Sequence, residues 1–139
     1  MRAFQILAVV AALAASATPS STESVITYGA IAFGVSLGNT DAALGIAYDQ
    51  GTPEAATKKA LETCQEKAGS YCVVKAQWKS PGCGFATFGE VVQKGKRTGF
   101  YYTQAGNATS ALNSCKEGGA INCQPPVGGC NGPQPTASN

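Results

Sequence analysis

Apolar residues along this chain form short segments separated by turn residues, a pattern that predicts strands. Residues 28–35 are apolar on both alternating faces, which is typical of a buried strand. Residues 36–41 contain Gly38-Asn39 and predict a turn, so residues 43–48 are expected to form the second strand of a hairpin. Residues 72–79 alternate, which predicts a half-exposed strand with one apolar face: Val74, Ala76 and Trp78.

The segment between the second and third strands has the spacing of an amphipathic helix. Thr52-Pro53-Glu54 predicts its start, because Thr accepts a backbone N–H bond there and Pro stands where no N–H is needed. Glu54 and Lys58 are spaced for an i,i+4 ion pair, and Gly69 is expected to end the helix. The inner face is expected to carry four side chains: Ala56, Ala60, Leu61 and Cys64.

The whole pattern occurs a second time. The motif Ala60-Leu61-Glu62-Thr63-Cys64, with Cys72 after seven residues, returns as Ala111-Leu112-Asn113-Ser114-Cys115, with Cys123 after seven residues. Residues 29–34 correspond in the same way to 84–89, and 45–50 to 99–104, which aligns Tyr101 with Ala47. Because residue types and spacings repeat together, an internal duplication is predicted.

The second copy predicts strands at 85–92 and 98–103 around a turn at 93–97, then a shorter helix at 108–117. Its last segment, 121–130, contains two consecutive prolines and is expected to form only a short edge strand or a pinned coil. Each half is thus predicted as strand, strand, helix, strand, with halves at about 28–83 and 84–130. The predicted fold class is α+β, with duplicated units that share one core and are stapled by disulfides.

The first residues are typical of an export signal. Met1-Arg2 supplies a positive start, and residues 4–15 form an apolar run too short to span a bilayer. Ala15-Ser16-Ala17 fits the small-residue cleavage rule. We therefore expect a secreted protein with four parts: a signal peptide at 1–17, a flexible leader at 18–27, one domain at 28–130 and a disordered tail at 131–139.

Charge and hydropathy restrict the class of partner. Without Arg2, nine basic residues face eight acidic ones, so obligate binding to nucleic acid is not expected. No second apolar run reaches membrane length, so stable membrane insertion is not expected either. The expected partner is an unidentified protein or surface.

Six cysteines behind an export signal indicate three disulfides formed in an oxidising compartment. Six cysteines allow 15 pairings, and the sequence alone does not choose among them. Equivalent cysteines of a duplication should play equivalent roles, which favours Cys64 with Cys72 and Cys115 with Cys123. The remaining pair, Cys83 with Cys130, is then expected to join the two halves.

The chain contains no histidine, which removes the usual general base, the Ser-His and Cys-His nucleophile pairs and histidine-bound zinc or haem. No C-x-x-C motif occurs, and neither a metal nor another cofactor is expected. Paired carboxylates remain an alternative, since Asp41, Asp49 and Glu90 lie on or near the predicted hairpins. Solvated turn or strand-end positions are the favoured interpretation of these acids.

Four residues are candidates for contact with a partner: Tyr101, Lys94, Lys96 and Arg97. The three basic residues form a hairpin tip, which is either a solvated turn or a contact for an anion or an acidic partner. Tyr101 stands between two other aromatic residues, so strand alternation sends it to the other face of the sheet. Trp78 is expected to lie in the core rather than to form a ligand platform.

Asn107-Ala108-Thr109 is an N-glycosylation sequon at a predicted helix start. The side-chain oxygen of Asn107 is expected to cap the helix. A sugar on this residue is compatible with that cap, because the glycan is attached to the nitrogen.

Several motifs of the chain resemble those of one family. They are Tyr28-Gly29-Ala30-Ile31-Ala32, Gly45-Ile46-Ala47-Tyr48 and Ala60-Leu61 through Cys64, followed by Cys72-Val73-Val74 and then Cys83. It is the family of small exported domains known as domain of unknown function number 4189. The resemblance covers roughly residues 28–123. It implies an architecture and an exported protein, and it implies no activity and no catalytic residues.

The leading hypothesis is a secreted, non-catalytic interaction or effector-like module of unknown target. One alternative is an inhibitor of an extracellular enzyme, with residues 94–97 or the segment 125–130 as the insertion loop. A further alternative is a histidine-free hydrolase that acts on wall polymers through carboxylates.

Overall fold

The computed structural model describes residues 25–68 and 71–132. The predicted signal peptide, most of the leader, Gly69 and the tail from residue 133 lie outside the described residues. The described elements are β1 (Tyr28–Val35), β2 (Ala42–Gln50), α1 (Pro53–Ala68), β3 (Tyr71–Lys79), β4 (Gly82–Gln93), β5 (Lys96–Ala105), α2 (Ala108–Glu117) and β6 (Val127–Asn131). The two halves therefore follow the same order of elements, and the α+β duplication predicted from the sequence is confirmed.

The two halves form two antiparallel sheets with equivalent strand orders. The first sheet has the order β2-β1-β3 and the second β5-β4-β6, so in each the first strand of the hairpin is central. The strand that follows the helix then pairs with the free side of the central strand. This topology places one helix on the outer face of each sheet.

The first helix lies close to its sheet because the contacting side chains are small. Thr52 caps it, since the Ala55 N–H donates to Thr52 Oγ1 over 3.1 Å. A side chain at Gly45 would overlap the carbonyl oxygen of Ala60, so only glycine permits this approach. The buried cluster between α1 and the sheet is made of Ala30, Ala32, Ala47, Ala56, Ala60 and Cys64.

The two sheets share a second cluster between their facing sides. Ile31 and Leu44 of the first sheet pack with Ala86 of the second. Phe33 stands beside the rings of Phe88 and Tyr102, at 5.7 and 5.3 Å between centroids. The halves thus share a core, with helices on the two outer faces.

Strand β3 departs from the predicted alternation at one position. Ala32 pairs with Val74 whereas Ile31 pairs with Ala76, so a bulge falls between them. Because Ala32 and Ile31 point to opposite faces, Val74 faces α1 instead of sharing a face with Ala76. Trp78 remains on the inter-sheet side and packs in the shared core.

The three disulfides are Cys64–Cys72, Cys115–Cys123 and Cys83–Cys130, the same pairs that the duplication favoured. The first two each tie the last turns of a helix to the chain that follows it. Cys83 and Cys130 lie opposite each other on β4 and β6. The third bridge therefore lies within the second sheet, and the prediction that it joins the two halves is wrong.

Two further expectations need correction. Lys58 pairs with Glu62 at 3.9 Å rather than with Glu54, within the part of the chain that the structure describes. Asn131 is the last residue of β6 and is buried, although the sequence placed it in a disordered tail. Its side chain is fixed because the Asp49 N–H donates to Asn131 Oδ1 over 2.7 Å.

The hairpin registers also correct the alignment of the two copies. Gly45 pairs with Ala32, and Thr103 pairs with Thr87, the equivalent of Ala32. Gly45 therefore corresponds to Thr103 rather than to Gly99. By the same register Tyr101 corresponds to Ala43 and not to Ala47, because it pairs with Gly89, the equivalent of Gly34.

Neither helix within residues 25–68 and 71–132 is long and apolar enough to cross a lipid bilayer.

Candidate binding cleft

The halves differ most in the chain that follows each helix. In the first half β3 pairs with the whole length of β1, from Tyr28 to Val35. In the second half β6 pairs with β4 only from Gly82 to Ala86. Beyond that point the irregular segment between α2 and β6 takes the place of a strand. Its backbone hydrogen bonds to β4 are few: Glu90 bonds with Ile121, and the Gln124 N–H donates to the Phe88 carbonyl.

A cleft opens beside this irregular segment, between the two sheets. It has a volume of about 220 Å³, and we call it the Glu90 cleft. Both hairpins and the irregular segment supply its lining residues: Thr40, Asp41, Ala42, Phe88, Glu90, Arg97, Phe100, Asn122 and Gln124. The cleft thus combines two carboxylates, a guanidinium, two amides and aromatic rings.

Glu90 is held from two sides. Arg97 Nη1 donates to Glu90 Oε1 over 3.1 Å, and Asn122 Nδ2 donates to Glu90 Oε2 over 2.8 Å. The hydrogen bond from Asn122 and then that from Arg97 lower the pKa of Glu90 below its usual value near 4.5. Glu90 is therefore a carboxylate at neutral pH and accepts hydrogen bonds or attracts positive charge.

Arg97 links the two halves and does not belong to a free hairpin tip. Its Nη2 donates to the carbonyl of Thr40 over 2.8 Å, and its guanidinium lies 5.0 Å from the centre of the Phe100 ring. These contacts, together with the bond to Glu90, occupy both ends of the guanidinium. The structure thus places Arg97 in the wall of the cleft.

Asn122 adopts a backbone conformation that few residues tolerate. Its φ is +51°, in the left-handed region where Asn is enriched among residues other than Gly. This bend precedes Cys123 and turns the amide toward Glu90. Sequence reasoning missed both Asn122 and Gln124, because their contacts lie on a strand more than thirty residues earlier in the chain.

A second depression continues from the Glu90 cleft and has a volume of about 360 Å³. We call it the apolar groove. It shares Ala42, Phe88 and Gln124 with the cleft, so the two are continuous. Its other lining residues are Ala43, Leu44, Lys67, Pro125 and Val127.

The four predicted contact residues do not form one surface. Lys94 and Gly95 form the tip of the β4–β5 hairpin with positive φ values, and Lys94 and Lys96 are exposed. Tyr101 lies on the opposite face of the sheet from Arg97, packed against Gly118 at the end of α2. Residues 97 and 101 are four apart, so regular alternation would put them on one face. The register shift between Val91 and Val92 is what separates Tyr101 from Arg97.

The other polar candidates lie in different places. Asp49 is at the far end of β2 from Asp41, and its Oδ1 accepts from the Gly132 N–H over 3.1 Å. Asn107 caps α2 as predicted, since its Oδ1 accepts from the Ser110 N–H over 2.8 Å, and it is exposed. Only Asp41 joins Glu90 in the cleft.

The residues that the structure describes contain no group of three or more Cys, Asp or Glu side chains arranged to hold a metal ion.

Comparison with known proteins gives one match. A family model described as a domain of unknown function (DUF4189) matches residues 28–130. No curated protein matches the chain, and no solved structure matches it.

Proposed function

The chain belongs to the DUF4189 family, and we propose that it is an exported, non-catalytic binding module whose ligand occupies the Glu90 cleft. The observation that carries this proposal is the state of Glu90, a carboxylate fixed by Asn122 and Arg97. Fixed, ionised acceptors beside aromatic rings suit the recognition of a ligand.

The same observation restricts the hydrolase alternative. Hydrolysis of a glycosidic bond by two carboxyl groups requires one of them to stay protonated and act as the acid, with a raised pKa. The pKa of Glu90 is lowered, which is the opposite direction, so Glu90 is unsuited to the acid role and Asp41, the other carboxyl group of the cleft, would have to take it. The absence of histidine from the sequence removes the most common substitute.

The position of the cleft supports binding. Both copies of this duplicated fold share the strand order and the disulfide at the end of the helix. The Glu90 cleft uses the parts that differ: Glu90 stands where the first half has Val35, and Asn122 and Gln124 belong to the segment that replaces a strand. These polar residues are not needed for the fold of the first half.

Export is supported by two features. Residues 1–17 have the order of parts of a signal peptide, and three disulfides suit an oxidising compartment. The inhibitor alternative has less support, because Arg97 is folded into the cleft wall. Within the segment 125–130, residues 127–130 are paired with β4 and tied to it by the Cys83–Cys130 bridge.

The proposal is tested with the full chain, produced with its three disulfides formed. Immobilised peptides and oligosaccharides are screened with the wild type, with Gln124→Ala and with a control that carries Lys94→Gln and Lys96→Gln. We expect a ligand that the control retains and Gln124→Ala binds at least several-fold more weakly. A wild type that binds neither class of probe contradicts the proposal.

A second measurement addresses catalysis. Peptidoglycan and glucan are incubated with the wild type and with Glu90→Gln, and released fragments are quantified. We expect no turnover by either protein. Turnover by the wild type that disappears in Glu90→Gln would show that the cleft is an active site.

A further inference from the structure

The Glu90 cleft and the apolar groove form one depression with opposite charges at its ends. Asp41 and Glu90 lie at one end and only Arg97 balances them, which leaves one negative charge in excess. Lys67 lies at the other end, where its Nζ donates to the Leu44 carbonyl over 3.5 Å. The lining between these ends is mostly apolar.

We propose that the occupant of this depression is an extended peptide segment with a basic side chain at the Asp41 end and an acidic group at the Lys67 end. This inference rests on the proposed function and names the ligand class for the same site. From Asp41 to Leu44 the wall is formed by consecutive residues of one strand and its turn. A strand advances about 3.3 Å per residue, so the two charges of the peptide stand roughly three residues apart.

The backbone of β2 offers a pairing edge along the groove. β2 is the outer strand of the first sheet, so the backbone groups of alternate residues point away from β1, and the Leu44 carbonyl accepts from Lys67 Nζ. Alternation turns the backbone groups of Ala42 in the same direction. At the other end of β2 the edge is closed, because the Asp49 N–H donates to Asn131. The groove thus leaves room for an added strand beside residues 42–44.

The acidic end is suited to a cationic side chain. The Asp41 carboxylate makes no hydrogen bond or ion pair with any residue in the described part of the chain. Arg97 does not compete for it, since its guanidinium is bound to Glu90 and Thr40. The ring of Phe88 lies beside both parts of the depression and covers the stem of such a side chain.

A sugar chain fits this depression less well than a peptide. Each sugar ring carries hydroxyl groups along its whole length, and a buried hydroxyl without a partner is costly. The apolar groove offers few partners, because Ala43, Leu44, Pro125 and Val127 line it. A peptide places apolar side chains there and keeps its polar backbone groups on β2.

The test uses fluorescein-labelled hexapeptides in which Lys and Glu flank two apolar residues, in both orders, and matched peptides with Gln in place of Lys or of Glu. Binding to the full chain is measured by fluorescence polarisation. The protein variants are Asp41→Asn and Lys67→Gln. Their controls are Glu62→Gln and Lys59→Gln, two charge removals on the exposed side of α1.

We expect one order of the charged peptide to bind. Asp41→Asn should weaken it roughly two- to five-fold, the range of an exposed ion pair, and should leave the Gln-for-Lys peptide unaffected. Lys67→Gln should do the same for the acidic group, and both controls should bind like the wild type. Binding should also weaken as salt is raised.

Charge reversal separates a direct contact from an indirect effect. The variant Asp41→Lys should lose the Lys peptide and gain the peptide that carries Glu in its place. Equal binding of charged and Gln-substituted peptides would overturn the peptide inference. Binding of oligosaccharides alone would also overturn it while the proposed function stands, whereas a protein that binds neither class refutes the proposed function itself.

Discussion

The two halves of this protein share one topology but differ in the lengths of their elements and in how the helix packs on the sheet. In the first half a helix of 16 residues lies on alanine and glycine, and the third strand has nine residues. In the second half the helix has ten residues and the last strand five. Both halves keep a glycine beneath the helix disulfide, Gly34 in one and Gly89 in the other. The bridge and its glycine are therefore the invariant part of the unit.

The contact between helix and sheet shows how the copies diverged. In the first half Gly45 lies against the carbonyl of Ala60. At the equivalent place in the second half, Thr103 Oγ1 donates a hydrogen bond of 2.8 Å to the carbonyl of Ala111. One copy brings the helix close by removing a side chain, whereas the other uses a hydroxyl to bridge a wider gap. Tight packing thus characterises the first half and polar contacts the second.

This difference accounts for the position of the cleft. A full third strand leaves no room beside β1, whereas the short β6 leaves β4 accompanied by an irregular segment. That segment brings Asn122 and Gln124 to Glu90. The less regular half therefore carries the chemistry, and the regular half supports it.

The largest expected effect concerns the Cys83–Cys130 disulfide, which ties the short strand β6 to β4. Removing the Cys83–Cys130 bridge with two alanines should cost about 4 kcal/mol, because the bridge closes a loop of 47 residues in the unfolded chain. The free energy of unfolding in urea measures this cost. The rate of hydrogen exchange should rise more in β6 than in β3, because β3 does not depend on the deleted bridge and keeps its own disulfide to α1, Cys64–Cys72. An equal rise of the exchange rate in both sheets would contradict the expected difference between the two halves.

The second prediction concerns the close approach of α1. Gly45→Ala should destabilise the protein by about 3 kcal/mol, the upper part of the overpacking range, because the new methyl group would meet backbone atoms of α1. Urea unfolding is again the measurement.

Gly99→Ala is the matched control for that prediction. The repeated motif aligns Gly99 with Gly45, but the nearest atom to a new methyl group at Gly99 is Asn39 Nδ2 at 3.7 Å. The change should stay within about 0.5 kcal/mol. A large loss of stability in Gly99→Ala would favour the alignment of Gly99 with Gly45 and contradict the alignment of Thr103 with Gly45.

The smallest effect is the pH dependence of the cleft. The pKa of Glu90 is lowered in the folded protein, so its contribution to stability is present above its ordinary pKa near 4.5. That contribution is lost as the pH falls through the lower, folded value. The melting temperature of the wild type should therefore exceed that of Glu90→Gln at pH 7, and the two should converge in acid.

Asn122→Gly sharpens this measurement, because it removes the amide and permits the positive φ. The pH-dependent difference between wild type and Glu90→Gln should shrink in its presence. An unchanged difference would assign the effect to Arg97 alone.

Much of the fold could be predicted from local signals. The capping residues Thr52 and Asn107 were identified correctly, because a cap bonds to a backbone N–H only three residues away. The three cysteine pairs are those that the repeat favoured among the 15 possible pairings. The Lys58–Glu62 pair was missed, since Lys58 has acidic neighbours at both i−4 and i+4 and spacing does not rank them.

The candidate site was only partly predictable. Arg97 was singled out as a charged tip residue, but its place in the cleft depends on a turn some sixty residues earlier in the chain. Tyr101 was correctly separated from its aromatic neighbours by strand alternation, yet the residue that it covers, Gly118, was not foreseen.

The sequence by itself determined the repeat, the order of strands and helices and the helix caps, because these depend on neighbours within a few residues and on spacings that recur. The tertiary structure alone decided the register of each hairpin and the assembly of the Glu90 cleft. Register depends on which side chains fill the space under each helix, and the cleft depends on how two sheets face each other. Both are contacts between distant parts of the chain, and local periodicity carries no information about them.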